Sequence, residues 1–560
     1  MEATTSSIVS GQRSVLLRFV RMNADGIRPV VYNFTYLLKA CADNHDLRTG
    51  KQIHAQVVVN DIGSLRIGKS VHGVEVGKKS HITMSTPNES SSSNAGAGAH
   101  VLVFPLPAPG HIIAILDLIR LLLTRNLTVT VLVTPTHLPL LRPLLSAGAS
   151  TAAVHPLVLT PPETETPPNP SLPGIVSEIC RSGALSGPLL RWFKSHPSPP
   201  VAILSDFFLG WTHRLASDLS LPRLVFWPSG AFTASITNSL WRDLPEVGDP
   251  DATISFPAIP SSPVFPWWQI SNSFRDFKKG DRDYEFFRDG MVANTKSWGL
   301  VFNSFTELER VYFDHLKRDM GHNRVWAVGP LLPPLDDITG PLNRGGSGSA
   351  RTAELMAWLD SEPVGSVVYV CFGSRVVLTR EQVEVLAAAL EYSRVHFIWC
   401  VKKEGKGHVE GDAGFIPDGF EDRVGGRGFV IKGWAPQVAI LRHQAVGAFV
   451  THCGWNSILE GLAAGVLMLA WPMGADQFFN AELLVEHLGV GVSVCEGQKV
   501  PNRDELTVLL AESVGGNRVE REGVVRQLRE EAWNAVNGGT SARDLDELVK
   551  QLNLLITSDG

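Results

Sequence analysis

Residues 100–105 read His-Val-Leu-Val-Phe-Pro, followed by Leu106-Pro107-Ala108-Pro109-Gly110-His111, a helical apolar pattern over 112–123, and Thr-Val-Thr-Val-Leu-Val-Thr over 128–134. A short, almost uninterrupted apolar run marks a strand covered on both faces. The Pro/Gly turn then hands the chain to a helix and on to a second buried strand. Similar runs at 201–205, 224–227, 300–303 and 325–328 continue the alternation. That rhythm predicts a parallel, doubly wound α/β sheet. Composition shifts between residues 331 and 350, with Pro333, Pro334, Gly340, Pro341 and then Gly345-Gly346-Ser347-Gly348-Ser349, which reads as an interdomain linker. The pattern restarts at 366–371. A helix opens at Thr379, with Gln382 at capping-box spacing, and runs through 390; strands follow at 396–401, 429–432, 447–451 and 467–471. The expected fold is α/β: two tandem Rossmann-like domains, 99–344 and 345–540, facing across a cleft. Ligands sit at the carboxyl ends of the strands in such sheets.

Composition narrows the function. The chain has 560 residues, 44% hydrophobic and 19% charged, as in ordinary globular proteins. A net charge of −6 and a pI near 6.3, with both signs interspersed, give no electrostatic reason to expect nucleic acid or an anionic membrane as partner. Cysteines at 41, 180, 371, 400, 453 and 495 form no C-x-x-C pair, hence neither a disulfide framework nor a zinc site. No uncharged apolar stretch reaches the roughly 18 residues of a membrane helix; the 112–123 run carries Asp117 and Arg120. A secretory signal is lacking as well, so the expectation is a cytoplasmic monomer.

Residues 1–98 read differently. Gly50-Lys51-Gln52-Ile53-His54 and Gly68-Lys69-Ser70-Val71-His72, with Phe34-Thr35-Tyr36-Leu37-Leu38-Lys39-Ala40-Cys41 upstream, resemble pieces of plant pentatricopeptide repeats. Such repeats need at least about three copies for a stable stack. With at most one and a half, the expectation is a short, poorly ordered helical remnant without a function of its own, ending in a Ser-rich flexible linker.

The chemistry concentrates in 44 residues: Trp434-Ala435-Pro436-Gln437, then Thr451-His452-Cys453-Gly454-Trp455-Asn456-Ser457, Glu460, and Trp471-Pro472-Met473-Gly474-Ala475-Asp476-Gln477. Trp434 offers a ring face for a flat base. Glu460, with Gln437 beside it, can accept from both hydroxyls of a ribose. Thr451 ends a strand, Gly454 permits a tight turn and Asn456-Ser457 begin a helix, so free N–H groups and a positive dipole end meet a diphosphate. His452 can donate to a phosphate oxygen, and Ser374, at another strand end, can reach the same phosphates. Trp471 reads as core packing. This stretch closely resembles the signature box of plant UDP-dependent glycosyltransferases of secondary metabolism, a family with the two-domain GT-B fold. The resemblance implies that Asp476 and Gln477 contact sugar hydroxyls, that Trp455 positions the sugar through its backbone, and that the UDP-sugar is a co-substrate rather than a resident cofactor. Leu467 stands where the family usually has Pro, which relaxes a strand entry without removing a ligand contact.

A hydroxyl acceptor needs a base, and histidine titrates near neutrality. His111 follows the first strand's turn and Asp206 ends another strand of the same domain; a carboxylate on the far ring nitrogen fixes the tautomer. Both match the family's catalytic pair, in Pro109-Gly110-His111 and Ser205-Asp206-Phe207-Phe208; Ala114 replaces a frequent Pro. The implied reaction is a single, inverting displacement without a metal. D-x-D pairs occur at Asp249/Asp251, Asp281/Asp283 and Asp544/Asp546, but none ends an evident strand. Resemblance extends over about 99–556, including a final helix in 541–560 that in relatives crosses back to the first domain. Within the family, Phe226-Trp227-Pro228-Ser229-Gly230 and Pro472-Met473-Gly474-Ala475-Asp476 are most similar to the subgroup acting on flavonols and simple phenolics. The implied partners are a UDP-sugar, with Gln477 similar to glucose users and xylose and rhamnose left open, and a small phenolic or terpenoid acceptor lined by 159–177 and 245–282. A nicotinamide dehydrogenase would need G-x-G-x-x-G after the first strand, and residues 105–110 do not supply it. An RNA-binding repeat protein would need more repeats and basic character. A sugar-nucleotide binder disabled by the foreign N-terminal segment is the remaining alternative.

Overall fold

The computed structural model describes residues 98–145, 153–162, 172–333 (248 and 250 apart), 350–402, 414–514 and 519–557. The repeat-like extension before residue 98, the body of the interdomain linker with its 344/345 boundary, and residues 163–171 of the expected acceptor wall lie outside them.

The first lobe is a parallel sheet of β1 (His100–Phe104), β2 (Thr128–Val133), β3 (Val154–Val158), β4 (Ala202–Asp206), β5 (Arg223–Trp227), β8 (Gly299–Phe302) and β9 (Val325–Ala327); β6 (Thr253–Ser255) and β7 (Val264–Pro266) pair as a separate antiparallel hairpin. Strand order is β3-β2-β1-β4-β5-β8-β9, so the winding direction reverses between β1 and β4. Five of these strands, β1, β4, β5, β8 and β9, are buried along their whole length, which is why they read as continuous apolar runs.

The second lobe repeats the plan with β10 (Val367–Cys371), β11 (His396–Val401), β12 (Gly428–Lys432), β13 (Val446–Thr451), β14 (Leu467–Ala470) and β15 (Gly491–Ser493), in the order β12-β11-β10-β13-β14-β15. All pairings are parallel, and the reversal falls between β10 and β13. Both lobes are therefore Rossmann-like. The capping box at Thr379 and Gln382 forms in both directions.

The first helix starts at Pro109 rather than at 112, and the reason is local. Pro109 occupies the first helical position, where its missing N–H and fixed φ are no handicap. The carbonyl of the extended Ala108 accepts from His111 and Ile112 N–H. His111 thus sits inside the first turn. Ala114 is a buried mid-helix residue.

The last described helix, Thr540–Thr557, packs on the first lobe. Leu545, Leu548 and Leu552 join Ile115, Ile119 and Leu122 in one buried cluster. Asp544 accepts from Ala327 N–H at 2.8 Å, and Asn553 Oδ1 accepts from Ala99 N–H at 2.9 Å.

Candidate active site

A cavity of about 840 Å³ opens between the carboxyl ends of the two sheets. In each lobe it lies at the switch point, where crevices form in doubly wound sheets. The loops after β1 and β4 face it from the first lobe, and those after β10, β12, β13 and β14 from the second.

His111 Nδ1 meets Asp206 Oδ2 at 2.7 Å, with the imidazole 21% and the carboxylate 1% exposed. An ionised carboxylate only accepts, so Nδ1 carries the hydrogen and Nε2 is left as the basic nitrogen facing the cavity. The second oxygen of Asp206 accepts from Phe208 N–H at 3.0 Å, which caps the short turn after β4 and fixes the carboxylate. Phe207 stacks on the imidazole ring at a centroid distance of 5.7 Å, and Phe208 packs against it tilted by 37° at 5.5 Å. Asp206 itself lies behind His111, off the cavity wall.

All the expected donor-side residues come together on the cavity wall: Ser374, Trp434, Ala435, Gln437, His452, Gly454, Trp455, Asn456, Ser457, Glu460, Asp476 and Gln477. Trp434 keeps 47% of its surface exposed, unlike the sealed Trp471. The Gln437 amide donates to Ser457 Oγ at 2.9 Å and Glu460 Oε2 at 2.7 Å, and its oxygen accepts from Tyr369. One carboxylate oxygen of Glu460 is thereby held in place. Trp455–Ala464 is helical, starting at Trp455, with its first-turn N–H groups at the cavity.

The turn after β13 is built differently from expectation. Cys453, not Gly454, takes the left-handed conformation (φ 62°), whereas Gly454 is extended (φ −62°, ψ 140°). Cys453 N–H donates to Thr451 Oγ1, and its carbonyl accepts from Asn480 Nδ2, which hold the strained turn. Gly454 is needed for space: a Cβ there would lie 2.5 Å from His452 Nε2, and one at Gly373 would lie equally close. Two glycines thus make room for the same end of the imidazole. Burial pushes His452 down to about 4, so the ring is neutral, and its Nδ1 has no partner among the described residues.

Several side chains assigned to the donor have structural work too. Asn456 Nδ2 donates to Gly110 O at 2.8 Å, beside His111, while its oxygen accepts from Asn303 at 3.3 Å. Trp455 Nε1 donates to Asn303 O at 2.6 Å. Gln477 Oε1 accepts from Met473 and Gly474 N–H, closing the loop after β14. Desolvation pushes the Asp476 carboxyl up, opposed by a hydrogen bond from Asn480 and by the field of His111.

Other wall residues were not singled out in the sequence. Thr233, Thr237, Leu240 and Trp241, on the Ala231–Asp243 helix, line the acceptor side with Met291. The buried Glu309 holds the start of that helix, accepting from Ala231 and Phe232 N–H, although burial pushes its carboxyl up. The signal that points to this helix is position: it follows a strand end of a doubly wound sheet. Among the described residues of the expected acceptor segments, Pro173, Ile175 and Ser271 to Ser273 reach the wall. None of the six D-x-D carboxylates does; Asp281 caps its own helix and Asp544 binds Ala327 N–H.

Two Rossmann-like lobes that share a cavity at the carboxyl ends of their sheets, with the His111–Asp206 pair on one side and the Trp434–Glu460 wall on the other, give the GT-B architecture of a sugar-nucleotide transferase. Residues 325–510 match the family model described as UDP-glucoronosyl and UDP-glucosyl transferase. The chain is 50% identical over 465 residues to UDP-glycosyltransferase 89B2 of Stevia rebaudiana, covering 80% of this chain and 96% of that protein. It is 49% identical to the flavonol 3-O-glucosyltransferase UGT89B1 of Arabidopsis thaliana, covering 80% and 94%. The crystal structure of Arabidopsis thaliana UGT89C1 complexed with UDP-L-rhamnose superposes with a TM-score of 0.66 at 38% identity, covering 81% of this chain and 99% of that one. The chain belongs to the plant UDP-glycosyltransferase family, and it is an enzyme that transfers sugar from a UDP-sugar. Among the described residues, no helix is long and apolar enough to cross a membrane.

Proposed function

We propose that the chain transfers glucose from UDP-glucose to a hydroxyl of a flavonoid or similar small phenolic, with inversion and without a metal. The observation that carries this reading is the 2.7 Å His111–Asp206 pair, whose free Nε2 faces the cavity that Trp434, His452 and Glu460 also line. Trp434 stacks the uracil, and Glu460, steadied by Gln437, accepts from the ribose hydroxyls. The N–H groups that open the Trp455–Ala464 helix, together with His452 and Ser374, receive the diphosphate. Asp476 and the Gln477 amide nitrogen bind the sugar hydroxyls.

His111 Nε2 takes the acceptor proton as the acceptor oxygen bonds to the anomeric carbon and the carbon–phosphate oxygen bond breaks. Asp206 stabilises the imidazolium, and UDP leaves with its new charge met by the helix N–H donors. One displacement inverts the anomeric centre. The apolar acceptor side, with Phe208, Leu240, Trp241 and Met291, suits a flat aromatic body.

The test pairs His111→Ala with a product screen. Removing a general base lowers turnover by about 10²–10⁴-fold, while calorimetric UDP-glucose affinity stays within about twofold of the wild type. Near-normal turnover would refute the assigned base. Phenolic acceptors offered with UDP-glucose, UDP-xylose and UDP-rhamnose, read by mass spectrometry, identify the sugar; preference for a pentose or deoxysugar rejects the glucose assignment.

A further inference from the structure

Arg223 opens β5 and is 2% exposed, the deepest basic side chain of the described lobe. Its partners are all neutral. Nε donates to Ser205 Oγ at 2.9 Å and Thr212 Oγ1 at 2.8 Å, Nη1 to Ser297 Oγ at 2.9 Å and Nη2 to Asn294 Oδ1 at 3.0 Å. A guanidinium taken out of water costs several kcal/mol unless other charges compensate it. The acid whose field reaches Arg223 is Asp206. Its network also brackets that residue: Ser205 precedes Asp206, and Asn294 Nδ2 donates at 2.9 Å to the carbonyl of Phe207, which follows it. Burial nevertheless pulls the guanidinium down to about 9, which leaves it charged at neutral pH.

We propose that Arg223 is a positioning residue of the His111–Asp206 pair, a buried counter-charge that clamps the end of β4 and limits how strongly Asp206 raises the basicity of His111. This rests on the dyad reading above. An unopposed carboxylate would hold the imidazole protonated to higher pH and take the base out of action. With Arg223 behind it, Asp206 orients the ring while part of its field is cancelled. Other charges face these groups: Asp476 acts on His111, and His213 and Lys296 lie near Arg223. His213 Nδ1 is buried without a partner among the described residues, and burial with the Arg223 field lowers its affinity for a proton.

The experiment is the pH profile of kcat/KM for Arg223→Met, Arg223→Lys and Asn294→Asp, each also in a His213→Gln background so that this neighbour does not titrate. Asn294→Asp puts a carboxylate on the guanidinium but loses the hydrogen bond to the Phe207 carbonyl, so Asn294→Ala, which loses that bond without adding charge, is measured beside it and is expected to leave the limb in place. Asn294→Asp carries the test if Arg223→Met fails to fold. Expected is an acidic limb displaced upward by about half a pH unit or more in Arg223→Met and Asn294→Asp, with UDP affinity unchanged. Arg223→Lys keeps the limb in place but lowers the plateau, since one ammonium does not span four partners. Unchanged profiles in folded Arg223→Met and Asn294→Asp, alongside an inactive His111→Ala, overturn the role of Arg223 alone. Turnover persisting in His111→Ala overturns the dyad itself.

Discussion

Gly454→Ala separates space from backbone freedom, because Gly454 needs only the first. At φ −62° and ψ 140° an alanine backbone is unstrained. Its Cβ, however, would lie 2.5 Å from His452 Nε2, 2.9 Å from Cε1 and 3.4 Å from Cδ2. The same nitrogen is also crowded from the loop after β10, since a Cβ at Gly373 would meet it at 2.5 Å. Relief therefore requires the imidazole to swing into the nucleotide space or the turn after β13 to move. Overpacking of this kind costs about 1–3 kcal/mol, and a displaced phosphate donor lowers UDP affinity by about tenfold, or roughly 1.4 kcal/mol. Denaturant unfolding reports the first quantity and calorimetric titration with UDP the second. The decisive variant is Gly454→Ala combined with His452→Ala, which removes the atoms the new methyl meets. Its stability is expected to return to that of His452→Ala alone, while UDP affinity does not recover. Gly373→Ala should be worse than Gly454→Ala by about 1 kcal/mol, because φ there is +70°. Single-variant effects that add within about 0.5 kcal/mol would mean that methyl and imidazole do not interact. A Gly454→Ala protein with wild-type stability and affinity would refute the packing account outright.

Replacing Trp434 by Ala removes a half-exposed ring on which a base stacks, so KM for the UDP-sugar rises by about 5- to 100-fold, equivalent to about 1–3 kcal/mol, with kcat little altered; a fall in kcat at unchanged KM contradicts the assignment. His452 gives a pH signature in stability. The folded ring resists a proton down to about 4, whereas the unfolded ring accepts one near its ordinary value of 6.5. Its contribution is therefore complete above about 6.5 and is lost as pH falls towards 4, reaching on the order of 3 kcal/mol. His452→Gln should flatten that part of the stability curve. A variant whose acid sensitivity matches the wild type shows that the ring is not held neutral.

The fold was legible because parallel strands buried on both faces leave continuous apolar runs, and their ends were displaced by only a residue or so. His396–Val401 has the bounds expected, and β13 differs by one residue. The edge strands β3 and β15 and the β6–β7 hairpin escaped because they are only partly buried and carry no continuous apolar run, and so did whatever depends on partners distant in sequence. Nothing around Gly454 tells that its missing side chain serves an imidazole rather than a turn; that needs the ring's position between the loops after β10 and β13. Arg223 reads as an ordinary strand-edge cation until Ser205, Asn294 and Ser297 close around it. Asn480, six residues past the end of β14's Pro-Met-Gly turn, is invisible until Thr233 and Asp476 both meet it. The acceptor wall was legible only in part because the Ala231–Asp243 helix carries no unusual pattern; its site face is set by which end of the sheet it caps.

The same long-range contacts explain how a site split between two lobes keeps its geometry. Displacements of about 1 Å between reacting groups cost on the order of 10²-fold in rate, so the proposed base and donor pocket, which lie on separate domains, need ties close to the chemistry. They have them. Asn456 Nδ2 holds the carbonyl of Gly110, the residue before the base. Trp455 reaches Asn303 at a strand end of the first lobe. Thr233 Oγ1 donates to Asn480 Oδ1 at 2.9 Å, and Asn480 Nδ2 in turn holds Asp476, so the acceptor-side helix and the sugar-side carboxylate share one amide. Each tie runs from a residue touching the cavity, or one bond removed from it, to the opposite lobe. On the proposed roles, Asn456 ties the start of the Trp455–Ala464 helix directly to the turn that carries His111, so one hydrogen bond joins the donor-side and acceptor-side halves of the site.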